Sequence, residues 1–358
     1  MPDLGPPSIV VFGGYGTFGR HVAAELAQRG HRVTIVGRDE SRAKAEAEKL
    51  GAGHVGRAAN VNDGASCRAC VAGARVAVNC TGPFSPQHQA LLEACLVAGC
   101  HHVDIADNRA YVRAVQELGP RFAERNLTAA YGCSSLPGIS GAAALAAREA
   151  APEKKVRAVR STLFIGNDNP KGEAAIASAT AQLGEPIAAP QGTLFGFCDG
   201  ELVPLPAPFG SRRVYNFESP EYDLFPSLLG AAEVRVKVGF ELGLANWNFA
   251  TFATLAPGLG RWLLPKIAPL SGLLRWIGCS GGAVMSELFF ADESTSRVAI
   301  SSDRDGQRMA ALPAVYAADY LMRGDLARRG SQPIYELMGT QQLLERLTQD
   351  GYQVERGS

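Results

Sequence analysis

The stretch from residue 8 to residue 19 constrains the fold most, because a short apolar strand runs directly into four glycines. Gly14, Gly16 and Gly19 give the spacing G-x-G-x-x-G, and Gly13 with the last two gives G-x-x-G-x-x-G. In both patterns one glycine makes a tight turn, another admits a pyrophosphate to the backbone, and the third lets a helix pack against the strand. The pattern predicts a dinucleotide-binding turn followed by an amphipathic helix.

The chemistry of this turn also assigns its cofactor contacts. A pyrophosphate binds the free N–H groups at a helix N-terminus. We therefore expect the pyrophosphate to contact Gly14, Tyr15, Gly16, Thr17 and Phe18. The alternative interpretation is an ordinary glycine-rich turn between a strand and a helix.

The residues after the second predicted strand favour NADP over NAD. An NAD site usually carries Asp or Glu about 20 residues past the glycines, where it binds the ribose 2′-OH. This chain has Gly37 and Arg38 there, and a guanidinium suits a 2′-phosphate. Asp39 can turn away as the N-cap of a helix over residues 40–50. The alternative for Arg38 is a solvated surface arginine.

Strands and helices keep alternating to about residue 135, which predicts a doubly wound, mostly parallel sheet. Ligands bind such sheets at the carboxyl ends of the strands. The loop Thr81, Gly82, Pro83 and Phe84 follows the fourth strand, and we expect it to lie along the ribose and nicotinamide. Asn60 follows a weak third strand and is expected beside the adenine.

Motifs in this N-terminal part resemble the saccharopine dehydrogenase-like family. The chain reads V-N-C-T-G-P-F at 78–84, E-A-C at 93–95 and A-G-C-H-H-V-D at 98–104. The corresponding motifs of the family are V-N-C-x-G-P-F, E-A-C and A-G-x-H-Y-x-D. His102 therefore stands where the last motif has a tyrosine. The resemblance implies a Rossmann domain, an inserted mixed α/β substrate domain and an NAD(P)-dependent oxidoreductase. Members act on substrates as different as amino-acid imines and lipid-linked enoyl groups. These motifs therefore do not identify the substrate of this chain.

Beyond residue 135 the pattern changes to short strands, such as 234–238, in which apolar and polar residues alternate. This predicts a second, α+β domain built on a largely antiparallel sheet. We predict a Rossmann dinucleotide-binding domain at 1–135 and a substrate or dimerisation domain at 136–304. C-terminal helices at 305–358 are expected to return to the Rossmann domain.

Composition excludes several classes of protein. The net charge is zero, with 35 basic and 35 acidic residues, so nothing points to nucleic acid as a partner. The first predicted strand begins close to Met1 with no secretory signal before it, and we expect a cytoplasmic protein whose eight cysteines are reduced. Cys67 and Cys70 form a lone C-x-x-C, for which small residues on a helix are a better account than zinc. We expect no metal site.

The stretch 242–282 is rich in aromatic residues and almost free of charge. It contains asparagines, glycines and prolines, so we do not expect a membrane span. Three interpretations stay open: core or a homodimer interface, the wall of a pocket for an apolar substrate, or contact with a membrane surface through tryptophans and the basic residues Arg261, Lys266 and Arg275. We expect Trp247, Phe249 and Phe252 to face a cleft between domains or a subunit interface.

The predicted function is hydride transfer between NADPH and a C=N, C=C or C=O group of a small, partly apolar substrate. The Tyr-x-x-x-Lys pair of short-chain dehydrogenases is missing, because Val115 stands four residues after Tyr111. Asp104 and Ser135, at strand ends near the expected nicotinamide, are the catalytic candidates, with turn or cap hydrogen bonding as the alternative. The rival function is a non-catalytic NADP-binding regulator that acts through a protein partner.

Overall fold

The computed structural model describes residues 8–170, 172–267, 277–324 and 328–357. The chain folds into two compact units, and each unit is built from two separate segments of the sequence. Residues 1–134 and 310–339 form the first unit, and residues 135–309 and 340–358 form the second. Residues 340–358 thus belong to the second unit, whereas the sequence led us to expect all of 305–358 beside the first.

Strands and helices are numbered along the described parts of the chain. The strands are β1 (Ser8–Phe12), β2 (Val33–Gly37), β3 (Val55–Ala58), β4 (Ala74–Asn79), β5 (His101–Asp104), β6 (Thr128–Tyr131), β7 (Val156–Ile165), β8 (Pro186–Ala189), β9 (Gly192–Phe195), β10 (Glu201–Pro204), β11 (Ser211–Asn216), β12 (Glu233–Phe240), β13 (Gly282–Phe290), β14 (Thr295–Ser302), β15 (Gly330–Pro333) and β16 (Gln353–Gly357). The helices are α1 (Gly19–Gln28), α2 (Glu40–Lys49), α3 (Gly64–Val71), α4 (Ala90–Ala98), α5 (Arg109–Glu117), α6 (Gly119–Glu124), α7 (Ser140–Glu149), α8 (Glu173–Ala181), α9 (Glu221–Leu229), α10 (Gly243–Leu255), α11 (Pro257–Ile267), α12 (Gly306–Arg323), α13 (Ile334–Leu337) and α14 (Thr340–Gln349).

The sheet of the first unit has the strand order β15-β6-β5-β4-β1-β2-β3. All its pairings are parallel among the described residues. Its central strands are buried, as the continuous apolar runs of doubly wound sheets require. The order reverses between β1 and β4, and such switch points are where these sheets bind ligands. The predicted doubly wound Rossmann sheet is confirmed.

The helical segment after β5 is divided into two helices, because Gly119-Pro120 interrupts it. α5 ends at Glu117 and α6 begins at Gly119, with Pro120 in the first turn, where its missing N–H costs nothing. Gly119 also lies close to the extra strand β15, since a Cβ there would come within 2.5 Å of Ser331 Oγ. The break therefore makes room for β15 at the edge of the sheet.

The second unit holds a mixed sheet of order β10-β11-β12-β7-β13-β14-β16. The described strands pair antiparallel except for β12 with β7. This confirms the predicted α+β domain on a largely antiparallel sheet. One part of its core is a cluster around Phe164, whose ring centroid lies 4.8 Å from that of Phe209. The strands β8 and β9 form a separate hairpin.

Candidate cofactor site

The glycine turn lies at the carboxyl end of β1, beside the loop that follows β4. Gly13 adopts φ +72°, and a Cβ there would come within 3.0 Å of Cys80 and Thr81. A Cβ at Gly19 would lie 2.1 Å from the Gly13 carbonyl oxygen, so this glycine permits α1 to start against the turn. Neighbouring atoms leave no room for a side chain at Gly13 or at Gly14. Each of the two predicted spacing patterns therefore begins with a glycine that the structure requires.

Gly16 differs from the other glycines because the space in front of it is open. A Cβ there would meet only the Gly13 carbonyl oxygen, at 3.0 Å. Among the described residues, the N–H groups of Tyr15, Thr17 and Phe18 donate to no backbone carbonyl. Free N–H groups at the start of a helix attract anions, so the turn fits a pyrophosphate.

The end of β2 carries an exposed arginine and no carboxylate directed at the turn. A Cβ at Gly37 would lie 2.2 Å from Cε1 of Tyr15, so the tyrosine ring excludes an acidic side chain at this position. Asp39 is the N-cap of α2, where its Oδ1 accepts from the Arg42 N–H at 3.1 Å and from Ser41 Oγ at 2.6 Å. The Ser41 hydroxyl and then the Arg42 N–H lower the pKa of Asp39. The predicted capping role is confirmed.

Arg42 is a candidate contact that the sequence reading missed. Its guanidinium lies 4.6 Å from the centroid of the Tyr15 ring, and the Tyr15 hydroxyl accepts from the Asp39 N–H at 3.1 Å. Tyr15 therefore holds a second arginine at the end of β2 where Arg38 is exposed. The available signal was the second arginine at the start of α2, but only the tyrosine packing shows that it belongs to this end of the sheet.

The loop after β4 lies next to the turn because β4 pairs with β1. Thr81 donates from its N–H to Asn79 Oδ1 at 3.0 Å, which fixes the loop on the end of its own strand. Gly82 and Pro83 are exposed, and Phe84 is buried with its ring centroid 5.0 Å from that of Tyr111. The loop thus presents backbone at the switch point.

Asn60 lies farther along the same edge of the sheet, two residues after β3. Its Oδ1 accepts from the Asn62 N–H at 3.1 Å, and its carbonyl oxygen accepts from Ser66 Oγ at 3.1 Å. It is exposed. The sheet therefore brings the predicted contacts together in strand order, with Asn60 at one end and the Thr81 loop at the other.

Asp104 is buried at the carboxyl end of β5 and is fully occupied by hydrogen bonds. Its Oδ1 accepts from the N–H groups of Gly132 at 2.8 Å and Ala106 at 3.0 Å, and its Oδ2 lies 3.2 Å from His102 Nε2. The hydroxyl of Tyr111 lies 3.5 Å from the same nitrogen. Burial, and then the charge of Asp104, raises the pKa of Tyr111. No motif in the sequence predicted this buried network.

Ser135 belongs to the second unit, whereas Asp104 belongs to the first. Ser135 is buried in a short π-helical turn, Ser135–Ile139, that leads into α7. The turn contains a cis peptide bond between Leu136 and Pro137.

The aromatic residues of the stretch 242–282 separate into two environments within the second unit. Phe249 packs inward, with its ring centroid 4.8 Å from that of Phe197 and 5.4 Å from that of Phe240. Phe252 is half-buried against Gly260, and Trp247 is exposed. Arg275 and Trp276 lie outside the described residues.

The cysteines are free thiols in the described structure. Cys67 and Cys70 are buried on α3, and burial raises the pKa of Cys67 to about 12. Protonated, buried thiols are poor nucleophiles and poor metal ligands. Across the described ranges, no three His, Cys, Asp or Glu side chains are placed to hold a metal ion. In the same ranges no helix is both long enough and apolar enough to cross a membrane.

Residues 9–130 match the family model of the saccharopine dehydrogenase NADP binding domain. These residues therefore form a saccharopine dehydrogenase-like NADP-binding domain. The matched residues run from β1 to β6 and contain every predicted cofactor contact. No curated protein sequence matches the chain.

Solved structures place the whole chain in one fold. Apo histidine-tagged saccharopine dehydrogenase (L-Glu forming) from Saccharomyces cerevisiae is similar with a TM-score of 0.68 and 13% identity, over 98% of this chain and 100% of that one. A short-chain type dehydrogenase/reductase from Mycobacterium ulcerans aligns with 35% of this chain and 66% of its own, at 16% identity and a TM-score of 0.31. Only the first likeness is close enough to support the fold, and at 13% identity it supports the fold alone.

The arginines of the NADP-binding domain give a test of cofactor choice. Replacing Arg38 with alanine removes charged hydrogen bonds to the 2′-phosphate, each worth about 1.5–3 kcal/mol, so we expect NADPH affinity to fall on the order of 10- to 100-fold. NADH affinity should stay nearly constant, since NADH lacks that phosphate. Calorimetric titration of both cofactors measures the difference.

The matched control is Arg32→Ala, because Arg32 is an exposed arginine just before β2, at the opposite end of that strand. It should leave both affinities unchanged. Equal losses of NADPH and NADH affinity in Arg38→Ala would contradict the assignment of Arg38 to the 2′-phosphate.

Proposed function

We propose that this protein is an NADP-dependent oxidoreductase that transfers a hydride between NADPH and a C=N, C=C or C=O group of a small, partly apolar substrate. The observation that carries the proposal is the edge of the first sheet. There the Thr81 loop after β4, the free N–H groups of the glycine turn after β1 and the exposed Arg38 after β2 follow one another on adjacent strands. This is the order in which a dinucleotide presents nicotinamide, pyrophosphate and 2′-phosphate.

Three features of the site support NADP as the cofactor: the space at Gly16, the absence of a side chain at Gly37, and two nearby arginines. The open space in front of Gly16 is where a pyrophosphate would reach the N–H groups of Tyr15, Thr17 and Phe18. NADPH, when bound, supplies the hydride. The exclusion of an acid at Gly37 by Tyr15 removes the group that would repel a 2′-phosphate. Arg38, with Arg42 as a second cation, would hold that phosphate.

The chain's own contribution to the reaction is positioning. The hydrogen bond from Thr81 to Asn79 fixes the loop that would lie along the nicotinamide ribose. Phe84 anchors the end of this loop on Tyr111, which keeps its shape independent of the cofactor. A loop held in this way orients the transferring carbon before the substrate binds, which lowers the entropic cost of the reaction.

Asp104 and Ser135 are the candidate proton donors of the proposal. The hydrogen bonds of Asp104 to Gly132, Ala106 and His102 favour a positioning role, because they tie the end of β5 to the residue after β6. Ser135 has a hydroxyl that can donate a proton to a substrate anion.

The test is consumption of NADPH by the full-length protein with imine, enoyl and carbonyl compounds, each offered as a matched short-chain and long-chain alkyl pair. We expect turnover with one class and a preference for its longer member. The Gly16→Val protein, purified in the same way, is the blank that detects a contaminating reductase. Tight NADPH binding without turnover of any class would refute the proposal in favour of the NADP-binding regulator.

A further inference from the structure

The exposed faces of α10 and α11 carry large apolar side chains beside a few polar ones such as Thr254, which sets these helices apart from an ordinary surface helix. We call the two helices, residues 243–267, the apolar helix pair. A surface helix of a globular protein turns charged and polar residues to solvent. In this pair the exposed side chains include two tryptophans and three leucines, namely Leu244, Trp247, Leu255, Leu259 and Trp262.

Three large exposed apolar residues of α10 form a stripe on one side of the helix, which they share with Thr251 and the exposed Thr254. Leu244, Trp247 and Leu255 are spaced by three and eight residues, which places them on one side of an α-helix. The opposite side carries Asn246 and Ala253, which are buried. Trp247 is 60% exposed and Leu255 78%. Large apolar side chains of α10 therefore face solvent as well as the protein interior.

α11 continues the stripe and ends it with a cation. Leu259, Trp262 and Lys266 recur at intervals of three and four residues and are exposed, whereas Gly260 and Leu264 are buried beneath them. The ammonium of Lys266 lies 3.6 Å from the centroid of the Trp262 ring. A tryptophan paired with a lysine is the residue combination found where a bilayer meets water.

The charge of the pair has one sign. The sequence from 242 to 286 contains no Asp or Glu, and its charged residues are Arg261, Lys266 and Arg275. Within the described structure Arg261 forms an ion pair with Glu185, so that charge is already neutralised. Lys266 then gives the exposed stripe a net positive charge. An occupant that covers the stripe must be apolar and must supply negative charge.

We infer that the apolar helix pair binds the surface of a phospholipid bilayer that contains anionic headgroups. The helices have 13 and 11 residues, which is short of the roughly 20 that span a membrane, so they would lie in the plane of the interface. A second copy of this chain is a poorer occupant, since a two-fold interface pairs the stripe with itself and the stripe has no carboxylate to meet Lys266. The inference is independent of the proposed cofactor chemistry.

The first experiment is sedimentation of the full-length protein with vesicles of phosphatidylcholine containing roughly a third phosphatidylserine. We expect binding, with a blue shift of tryptophan emission, because all three tryptophans lie between residues 242 and 282. The double variant Trp247→Glu/Leu255→Glu should bind at least about tenfold more weakly, since it removes two large apolar side chains from the stripe. Both residues are exposed, and circular dichroism should show an unchanged fold.

The matched control is Leu202→Glu, which changes a 64% exposed leucine on β10 of the same unit. It should bind vesicles like the unaltered chain. Lys266→Ala should weaken binding about fivefold on the anionic vesicles and leave any binding to pure phosphatidylcholine unchanged. These two results together assign the apolar and the electrostatic part of the contact.

Three outcomes would overturn the inference. The first is an unaltered chain that stays in the supernatant with anionic vesicles. The second is an equal loss of binding in Leu202→Glu and in the double variant. The third is a dimer in analytical ultracentrifugation that ignores vesicles and that the double variant dissociates, which would assign the stripe to a homodimer interface.

Discussion

Replacing Gly16 with valine is expected to abolish binding of NADPH and NADH together, by at least about 100-fold, while the fold is retained. The backbone of Gly16 does not need a positive φ, and a Cβ there meets only the Gly13 carbonyl oxygen at 3.0 Å. With a small adjustment at the Gly13 carbonyl, the branched side chain would fill the space in front of the free N–H groups. A pyrophosphate could no longer reach them. Calorimetry with each cofactor measures the loss.

Two other glycine-to-valine variants of the same unit serve as controls for Gly16→Val, one expected to be harmless and one expected to prevent folding. Gly64→Val, at the start of α3, should leave cofactor binding unchanged, because its nearest neighbour is the flexible end of Arg68. Gly19→Val should fail to fold, because its Cβ would lie 2.1 Å from a backbone oxygen. Normal NADPH binding by Gly16→Val would show that the turn has only a structural task.

Replacing Asp104 with alanine is expected to destabilise the first unit by about 3–5 kcal/mol. The change leaves the N–H groups of Gly132 and Ala106, and the ring of His102, buried without their acceptor. Each such group costs roughly 1–3 kcal/mol. Asp104→Asn keeps an oxygen for both N–H groups and should cost about 1–2 kcal/mol, since only the contact with His102 must rearrange.

Hydrogen exchange of peptides that cover β5 and β6 is the suitable measurement. The tryptophans all lie in the second unit, so their fluorescence does not report on this site. Asp63→Ala, which removes the exposed N-cap of α3, is the control and should cost only about 1 kcal/mol. If Asp104→Asn folds and binds NADPH but loses all turnover, Asp104 acts as the proton donor and the positioning role is wrong.

The sequence was most informative where a contact is local. The glycine turn, the capping role of Asp39 and the alternation of strands and helices up to about residue 135 follow from residues close together in the chain, and each is present in the structure. β15 was missed because Gly330–Pro333 is short, polar and ends in proline. Its strand character comes only from pairing with β6, about 200 residues earlier.

The candidate site was predictable to the same extent. The backbone cradle and Arg38 were visible as motifs, but Arg42 and the network around Asp104 depend on side chains that meet in space. The stretch 242–282 shows the limit most directly. Because α10 carries large apolar residues on both its packed and its exposed side, its periodicity could not tell Phe249, which packs inward, from Trp247, which is exposed.

The late strands β15 and β16 have a consequence for synthesis of the protein. β15 is the edge strand beside β6, and β16 is the edge strand beside β14. When only the chain up to β14 has left the ribosome, β6 and β14 each have an edge with no strand paired to it. At about 5–20 residues per second, the roughly 200 residues between β6 and β15 take on the order of 10–40 s to translate. Open strand edges pair readily with other chains. A holding chaperone acting during that interval should therefore raise the yield of this protein more than one supplied after release.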